Sequence, residues 1–565
     1  MKKITGAQIV TEVLCEQGCD TVFGYPGGQV IDLYDALWHA KKRIRHVLTA
    51  HEQGAAHAAD GYARASGRVG VVIATSGPGA TNLVTGLATA YLDSVPVVAV
   101  TGNVPSSQIG RDAFQEVDIV GVSMPITKHN FIVKDVTRLA ETLRTAFQIA
   151  KSGRPGPVLV DIPKDVQTAR CAFTPMPEPV EALPKKCSSN HRLRWAMEMI
   201  GKSKRPYIYF GGGIILGDAS EELLAFADKA DAPMGCSLMG LSAVPTDHPR
   251  FLGMQGMHGH YAASAAETEA DLVIALGVRF SDRATGDGER FAEQCRVLHI
   301  DIDGAELNKN IPAQLTVQGD VKDALRRLTE ILPQQKHPAW MKRIAALRKE
   351  EAERTAHAYE TRSARADAFS LTHEQILDII GAAAGGDVLT VTDVGQHQMW
   401  AAQRCRLHTP RTFLTSGGLG TMGFGLGAAI GAYLAAGKRP VLYTGDGCFG
   451  MNLTELATAV SEKIPVVIVI FNNGVLGMVR QWQTMFYQGH HSATKLGRMT
   501  DFAKVAEGFG AAGVRVRTAE ELQKAAETAF AQKKPFVIDC IISPDENVLP
   551  MLPPGGTFAD IITEI

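Results

Sequence analysis

The stretch Val441-Leu442-Tyr443-Thr444-Gly445-Asp446-Gly447, followed after twenty-four intervening residues by Asn472-Asn473, decides how the chain folds. Val441-Leu442-Tyr443 reads as a short buried strand. Val466 to Phe471 is an unbroken run of Val, Ile and Phe, the pattern of a strand covered on both faces. Between them Asn452 is placed to cap a helix bearing Leu453, Leu456, Ala457 and Val460, with Glu455 three residues on completing a capping box. Strand, helix and strand within about thirty residues make one βαβ unit. Asp446 and Asn473 then sit at the carboxyl ends of two parallel strands, where open α/β sheets bind ligands. A carboxylate and an amide there offer hard oxygens suited to Mg²⁺ shared with a phosphate. Gly445 and Gly447 let the backbone approach such a ligand closely. Gly-Asp-Gly alone is an ordinary strand-to-helix turn; the Asn pair after the next strand makes it distinctive.

The same alternation runs outward from this unit. Thr5 to Gln17 reads as a helix with Ile9, Val10, Val13 and Leu14 on one face, and Thr21 to Gly24 as a strand entering the turn Tyr25-Pro26-Gly27-Gly28. Val69 to Ala74, Val95 to Thr101 and Val158 to Ile162 are all-apolar strands, and a middle set lies at Pro206 to Phe210, Leu272 to Leu276 and Val297 to Ile302. These patterns predict an α/β chain of three doubly wound parallel-sheet domains, at 1–171, 190–335 and 370–565. A length of 565 residues fits three cores better than one. Residues 172–189, with Pro175, Pro177, Pro179 and Pro184, read as a linker; 336–369, charged and helical around Trp340, Ile344 and Leu347, reads as a solvated connector. The first and third domains share a grammar of strands and glycine turns.

A net charge of −2 with interspersed signs gives no electrostatic case for nucleic acid or an anionic membrane. The apolar runs are strand length, short of a membrane span. Nine scattered cysteines with no Cys-x-x-Cys pair argue against zinc or a disulfide framework and for a reducing compartment. Gln8, Thr11 and Glu12 interrupt any apolar signal core, so a cytoplasmic location is expected, and the lack of a transit extension favours a prokaryotic source.

His51-Glu52-Gln53-Gly54-Ala55 fails as a zinc-protease motif, because position 55, four residues after His51, is Ala. Glu52 instead opens a helix of small residues that can pack tightly, where a carboxyl is partly desolvated; the plain alternative is a Glu favoured by the helix dipole. Two further glycine turns follow strands, Thr75 to Asn82 and Ser416 to Gly423. The second matches G-x-G-x-x-G but lacks the acidic residue about twenty positions on that a dinucleotide fingerprint requires. Gly211-Gly212-Gly213 after Tyr207 to Phe210 is a better nucleotide candidate, with Asp301 placed to accept from a ribose.

Glu52, Asp446 and Asn473 together resemble the motif set of the thiamine-diphosphate enzymes. From Phe23 to Met551 the chain is similar to the FAD-containing acetohydroxyacid synthase catalytic subunits of that family. Gly256-Met257-His258-Gly259, Arg279 to Arg283 and Gly477 to Trp482 are the most specific stretches. The resemblance implies thiamine diphosphate, Mg²⁺ and FAD. Asp446, Asn473 and the carbonyl of Val475 would hold the metal, while Gly395, Gln396 and His397 would bind the diphosphate. Met422 would force the cofactor into a V, with Gly420, Gly445, Gly447, Cys448, Gly477, Met478 and Val479 completing its pocket. Glu52 would drive the imino tautomer that takes the thiazolium C2 proton. Gly28 and Gln115 would line the reacting carbon; Lys164 and Trp482 would wall the substrate channel. FAD contacts would come from Arg154, Gly211, Gly212, Gly213, Met257, His258, Gly259, Arg279, Arg283, Asp301 and Asp320, with the flavin structural. Gln29 and Cys448 depart from the family pattern without removing a catalytic group.

The expected reaction decarboxylates pyruvate and ligates the two-carbon unit to a second pyruvate or to 2-ketobutyrate, with Trp482 favouring the latter. Other readings are a pyruvate oxidase or sulfoacetaldehyde-type acetyltransferase, against which Trp482, Gln115 and Arg279 to Arg283 count, and a silent nucleotide-binding scaffold, which the presence of Glu52, Asp446 and Asn473 opposes. Glyoxylate carboligase is disfavoured by the Glu at position 52. Sharing of the cofactor between two chains implies a homodimer or homotetramer, and a small regulatory subunit is an expected partner.

Overall fold

The computed structural model describes residues 2–183, 189–286, 288–291, 295–365, 371–386, 388–497 and 499–563. Pro184 and Cys187 lie outside these residues, as does the end of the second connector after 365.

The first unit contains β1 (Lys2–Thr5), β2 (Thr21–Tyr25), β3 (Arg45–Leu48), β4 (Gly70–Ala74), β5 (Val97–Asn103), β6 (His129–Ile132), β7 (Val158–Pro163) and β8 (Arg170–Phe173). The middle unit contains β9 (Pro206–Phe210), β10 (Met234–Cys236), β11 (Phe251–Met254), β12 (Leu272–Leu276), β13 (Arg296–Asp301) and β14 (Leu315–Gln318). The third contains β15 (Leu389–Thr392), β16 (Phe413–Leu414), β17 (Pro440–Gly445), β18 (Val467–Asn472), β19 (Ala512–Val516) and β20 (Phe536–Ile541). Each unit is built on one six-stranded parallel sheet with helices on both faces, as the alternating pattern predicts, and the first adds the two-stranded antiparallel pair β1-β8.

Strand order separates the units into two kinds. The first sheet runs β3-β2-β4-β5-β7-β6 and the third β16-β15-β17-β18-β20-β19, the same order strand for strand. This is the physical content of their shared sequence grammar. The middle sheet runs β11-β10-β9-β12-β13-β14, the order typical of dinucleotide-binding folds. In each case the order reverses beside a glycine turn: after β2 and β4, after β9 and β12, and after β15 and β17.

Three local expectations are corrected. Asp446 begins a helix, Asp446–Asn452, directly from β17, because Gly445 joins strand to helix without a loop. Asn452 therefore ends that helix instead of capping the next, and its amide donates to the carbonyl of Gly423 at 2.7 Å. Helix Glu455–Ser461 starts with no side-chain cap, and Glu455 makes no capping box. The Pro338–Arg365 helix is more than a solvated connector: Trp340, Ile344 and Leu347 are buried against the middle unit, and the indole of Trp340 donates to the carbonyl of Pro206 at 3.0 Å. The first unit also runs past 171, since β8 pairs antiparallel with β1 as far as Phe173.

The first and third units meet through helices Glu52–Ser66 and Phe424–Ala436, whose facing residues are almost all Gly or Ala. A methyl group on Gly61 would overlap the carbonyl of Ala428, and one on Gly431 would overlap the carbonyl of Ala58. Backbone lies directly on backbone. Gly431→Ala should therefore lower the thermal unfolding midpoint, with a destabilisation of about 1–3 kcal/mol. Gly381→Ala, in a helix where a methyl meets nothing within 4 Å, should instead stabilise by about 0.4–1 kcal/mol by restricting the unfolded chain. Parallel melts of the two variants check the contrast.

Candidate active site

The residues singled out from the sequence gather in three places. The first is the carboxyl edge of the first sheet. Glu52 begins its helix at the end of the β3 turn and is 9% exposed. Its carboxylate accepts from the amide of Asn82 at 3.0 Å. Gly28 lies exposed after β2, and its carbonyl accepts from Nζ of Lys164 at 2.8 Å. Lys164 also pairs with Asp32 at 3.1 Å. Gln115 packs against Gly77 in the β4 turn and holds a left-handed backbone, φ 60°. Gln29, the departure beside Gly28, is tied on both sides: its N–H donates to Thr75 at 3.2 Å and its carbonyl accepts from Gln167 at 2.8 Å.

The second place is the carboxyl edge of the third sheet, at the βαβ unit first read from the sequence. Asp446, at the end of β17, accepts from the N–H of Gly474 at 3.1 Å; burial pushes its carboxyl up to about 6. The amide oxygen of Asn473 accepts from the N–H of Val475 at 3.1 Å. An acid, an amide oxygen and a nearby backbone carbonyl suit a hard cation. Among the described residues no three His, Cys, Asp or Glu side chains cluster as a metal site, and this oxygen set needs only one of those types. His397, after β15, is buried with Nε2 unpartnered, and burial pushes its pKa down to about 3. A neutral ring with a free nitrogen at the switch point is what a diphosphate site would leave. The Gln396 side chain is engaged within the protein: it donates to Gln481 at 3.0 Å and to the carbonyl of Glu546 at 2.7 Å. That leaves the backbone of Gly395 and Gln396 to meet a ligand. A methyl on Gly477 would overlap the Gln396 amide, so a larger residue there would push that side chain aside. Gly447 faces the methyl end of Met422. The Cys448 thiol donates to the carbonyl of Val394 at 3.1 Å, and burial pushes its pKa far up, which makes it an inert packing group.

The third place is a cavity of about 1220 Å³ where all three units meet. Arg154 reaches it from the first unit, held by Ser94 at 2.8 Å and Glu306 at 2.6 Å. The middle unit contributes Gly212, Gly213, Met257, His258, Arg279, Arg283, Asp301 and Asp320; the third contributes Gly395, Gly420, Met422, Met478, Val479 and Trp482. The residues expected from the sequence to contact flavin and those expected to contact thiamine diphosphate therefore share one continuous wall. Gly211 and Gly259 are not on that wall: Gly211 donates to Leu276 between β9 and β12, and Gly259 closes a turn onto Gly256. Nδ1 of His258 is buried without a partner, and burial pushes the Asp301 carboxyl up to about 6. The volume exceeds that of an ordinary small-ligand pocket, about 300–1000 Å³, and fits a dinucleotide-sized group.

The structure adds contacts that arrange these groups, some between residues named from the sequence and some through residues that were not. Arg283 lies over the Trp482 ring at 5.6 Å, a cation–π pair joining the middle and third units on the cavity wall. Buried Gln481 accepts from the N–H of Val548 and donates to its carbonyl, tying the Gly477–Phe486 helix to the C-terminal segment. Asp93 accepts from the N–H groups of Gly417 and Gly418 at 3.1 and 2.7 Å and from Arg64 at 2.8 Å; Arg64 also pairs with Asp60 and donates to the carbonyl of Thr415. This buried network docks the Met422 turn on the first unit. Asp60, Arg64 and Asp93 carry no local motif, so only spacing in three dimensions reveals them.

Three family models match the chain in succession. A thiamine pyrophosphate enzyme N-terminal TPP binding domain matches residues 4–122, the central domain matches 193–328 and the C-terminal TPP binding domain matches 393–540. The chain is 46% identical over 569 residues to a probable acetolactate synthase large subunit of Methanocaldococcus jannaschii, spanning 99% of this chain and 95% of that one. It is 45% identical over 573 residues to the acetolactate synthase large subunit of Corynebacterium glutamicum, spanning 99% and 90%. It is 44% identical over 564 residues to the acetolactate synthase isozyme 2 large subunit of Escherichia coli, spanning 100% of both.

Removing one partner of a buried ion network is expensive, about 3 kcal/mol or more. Asp93→Ala should therefore lower the melting midpoint of the cofactor-free protein and weaken thiamine diphosphate binding, as measured by calorimetry and by titration of the folded variant.

Proposed function

Because the chain belongs to the acetolactate synthase large-subunit family of thiamine pyrophosphate enzymes, we propose that each working site joins the Glu52 edge of one chain to the Asp446 edge of another. The chain is a thiamine-diphosphate-dependent acetolactate synthase. It forms acetolactate from two molecules of pyruvate, or the 2-ketobutyrate product, by decarboxylation and carbon–carbon ligation. Thiamine diphosphate supplies the nucleophilic carbon and the electron sink that decarboxylation requires.

The residues would act as follows. Asp446, Asn473 and the Val475 carbonyl would hold Mg²⁺, and Gly395, Gln396 and His397 would bind the diphosphate. Met422 supports the cofactor beside Gly447. Glu52, held by Asn82, hydrogen-bonds the aminopyrimidine and governs the proton at thiazolium C2. Gly28 and Gln115 donate hydrogen bonds where charge develops on the reacting carbonyl. Lys164 and the Arg283 guanidinium offer cations for a 2-ketoacid carboxylate, and Trp482 shapes the acceptor space. FAD would occupy the three-unit cavity, held by Arg154, Gly212, Gly213, Arg279 and Asp301, as a structural group, since the net reaction moves no electrons. The eight described cysteines are free thiols, which supports a reducing, cytoplasmic setting. Among the described residues no helix is long and apolar enough to cross a membrane. Relatives described as large subunits support a smaller regulatory partner.

One observation carries the two-chain reading. Within a chain the two units meet at Glu455, which accepts from the N–H groups of Ala50 and His51, yet among the described residues no hydrogen bond joins Glu52 itself to Asp446. Large apolar side chains stand exposed in both units: Tyr25, Ile31, Leu48 and Phe114 in the first, Leu419, Met451 and Val479 in the third. Apolar exposure on this scale marks a surface that another chain covers.

Glu52→Gln should lower acetolactate formation by orders of magnitude while Mg²⁺ and diphosphate still bind. Mixed and reassembled with an inactive Asp446→Ala chain, it should regain up to about a quarter of wild-type activity, because half of the dimers are mixed and each holds one intact site. No recovery on mixing would refute the shared site. Trp482→Leu should reduce the preference for 2-ketobutyrate over pyruvate about tenfold, the scale of one methylene in a pocket; an unchanged product ratio in competition assays would remove Trp482 from specificity.

A further inference from the structure

The helix that Glu52 begins is capped in an unusual way. Its N-cap is His51, extended at φ −153° and ψ 148°, whose ring Nδ1 accepts from the N–H of Gln53 at 3.1 Å. In a capping box the third helical residue reaches back with a carboxylate or amide to the N-cap N–H. Here that residue is Gly54, which has no side chain. The vacated space is filled from the third unit: a methyl on Gly54 would overlap the carboxylate of Glu455. Oε1 of Glu455 accepts from the N–H of His51 at 3.0 Å, and Oε2 accepts from the N–H of Ala50 at 3.2 Å. The hydroxyl of Thr458 also donates to Oε2, at 2.7 Å. Glu455 is 1% exposed, so nothing in solvent substitutes for these donors.

We propose that Glu455 is a positioning residue for Glu52, completing from another unit the N-terminal cap of the helix that Glu52 opens. The two N–H groups it holds belong to the residues immediately before Glu52, so they fix the backbone from which the Glu52 side chain projects. An anion at a helix start is favoured by the helix dipole, and the two oxygens of the Glu455 carboxylate accept from one N–H group each. Glu455 follows Asp446 by one short helix, which makes the wall carrying the metal-type oxygens also the wall that aims Glu52. The inference rests on the reading that Glu52 governs the thiazolium C2 proton.

Glu455→Gln tests it, since the amide keeps the size but turns a donor towards one of the two N–H groups. In the cofactor-free protein, deuterium exchange read by mass spectrometry should quicken at Ala50 and His51. In the holoenzyme, exchange of the C2 proton of bound thiamine diphosphate should slow by about tenfold to a hundredfold, the scale of a small misplacement, while Mg²⁺ and diphosphate affinity stay close to wild type. Added to Glu52→Gln, the same substitution should cause no further slowing. An equal loss in both backgrounds, or unchanged C2 exchange, would overturn the proposal. If Glu52→Gln itself leaves C2 exchange at the wild-type rate, the underlying reading of Glu52 fails; if Glu52→Gln slows exchange and Glu455→Gln does not, only the positioning role fails. Should Glu455→Gln not fold, Thr458→Val removes just one hydroxyl bond, and it should slow C2 exchange to a smaller degree. A wild-type rate in that variant would likewise overturn the role.

Discussion

Helices Glu52–Ser66 and Phe424–Ala436 touch backbone to backbone, and the relation between the first and third units follows from that contact. Glycine and alanine occupy the facing positions, and added methyls at Gly61 or Gly431 would meet peptide carbonyls. Such an approach leaves little room for sliding, because each small residue is registered against a main-chain atom of the other helix. Interiors packed this closely transmit displacement instead of absorbing it. Glu52 stands at the first turn of one of these helices, so its position depends on how well the pair is seated.

Polar contacts then finish what the close packing begins. Arg64 stands between Asp60 and Asp93, and Asp93 also accepts from the turn that carries Met422. Glu455 crosses the same boundary in the opposite sense, from the third unit to the start of the Glu52 helix. Each is a carboxylate buried with its bonds satisfied, the condition under which a buried charge specifies geometry. The middle unit joins through Arg154 and through the Arg283–Trp482 pair, and the large cavity lies where these links converge.

Much of this was legible beforehand, for identifiable reasons. Strands covered on both faces, such as Leu272–Leu276 and Val467–Asn472, are continuous apolar runs, and the α/β class followed from their alternation with helices. The placement of Asp446 and Asn473 at adjacent strand ends needed only the βαβ rule. The Asn452 cap was misread because two capping signals competed: propensity favoured Asn452, while Gly445 allowed a helix to begin at Asp446 without a loop. The connector helix was misread because its charged residues dominate, although Trp340, Ile344 and Leu347 sit on the face that packs inward.

The amino-acid sequence by itself determined the sheets, the glycine turns at their switch points and the chemistry available there, because these depend on local periodicity and on side-chain type. It also held the resemblance that named the cofactor. Only the tertiary structure decided which distant groups act on one another: that Glu455 answers the missing side chain of Gly54, that Asp93 holds the Met422 turn, that Arg283 lies over Trp482. Hydrogen bonds and close contacts between units span hundreds of residues along the chain, and no local pattern records which donor will meet which acceptor.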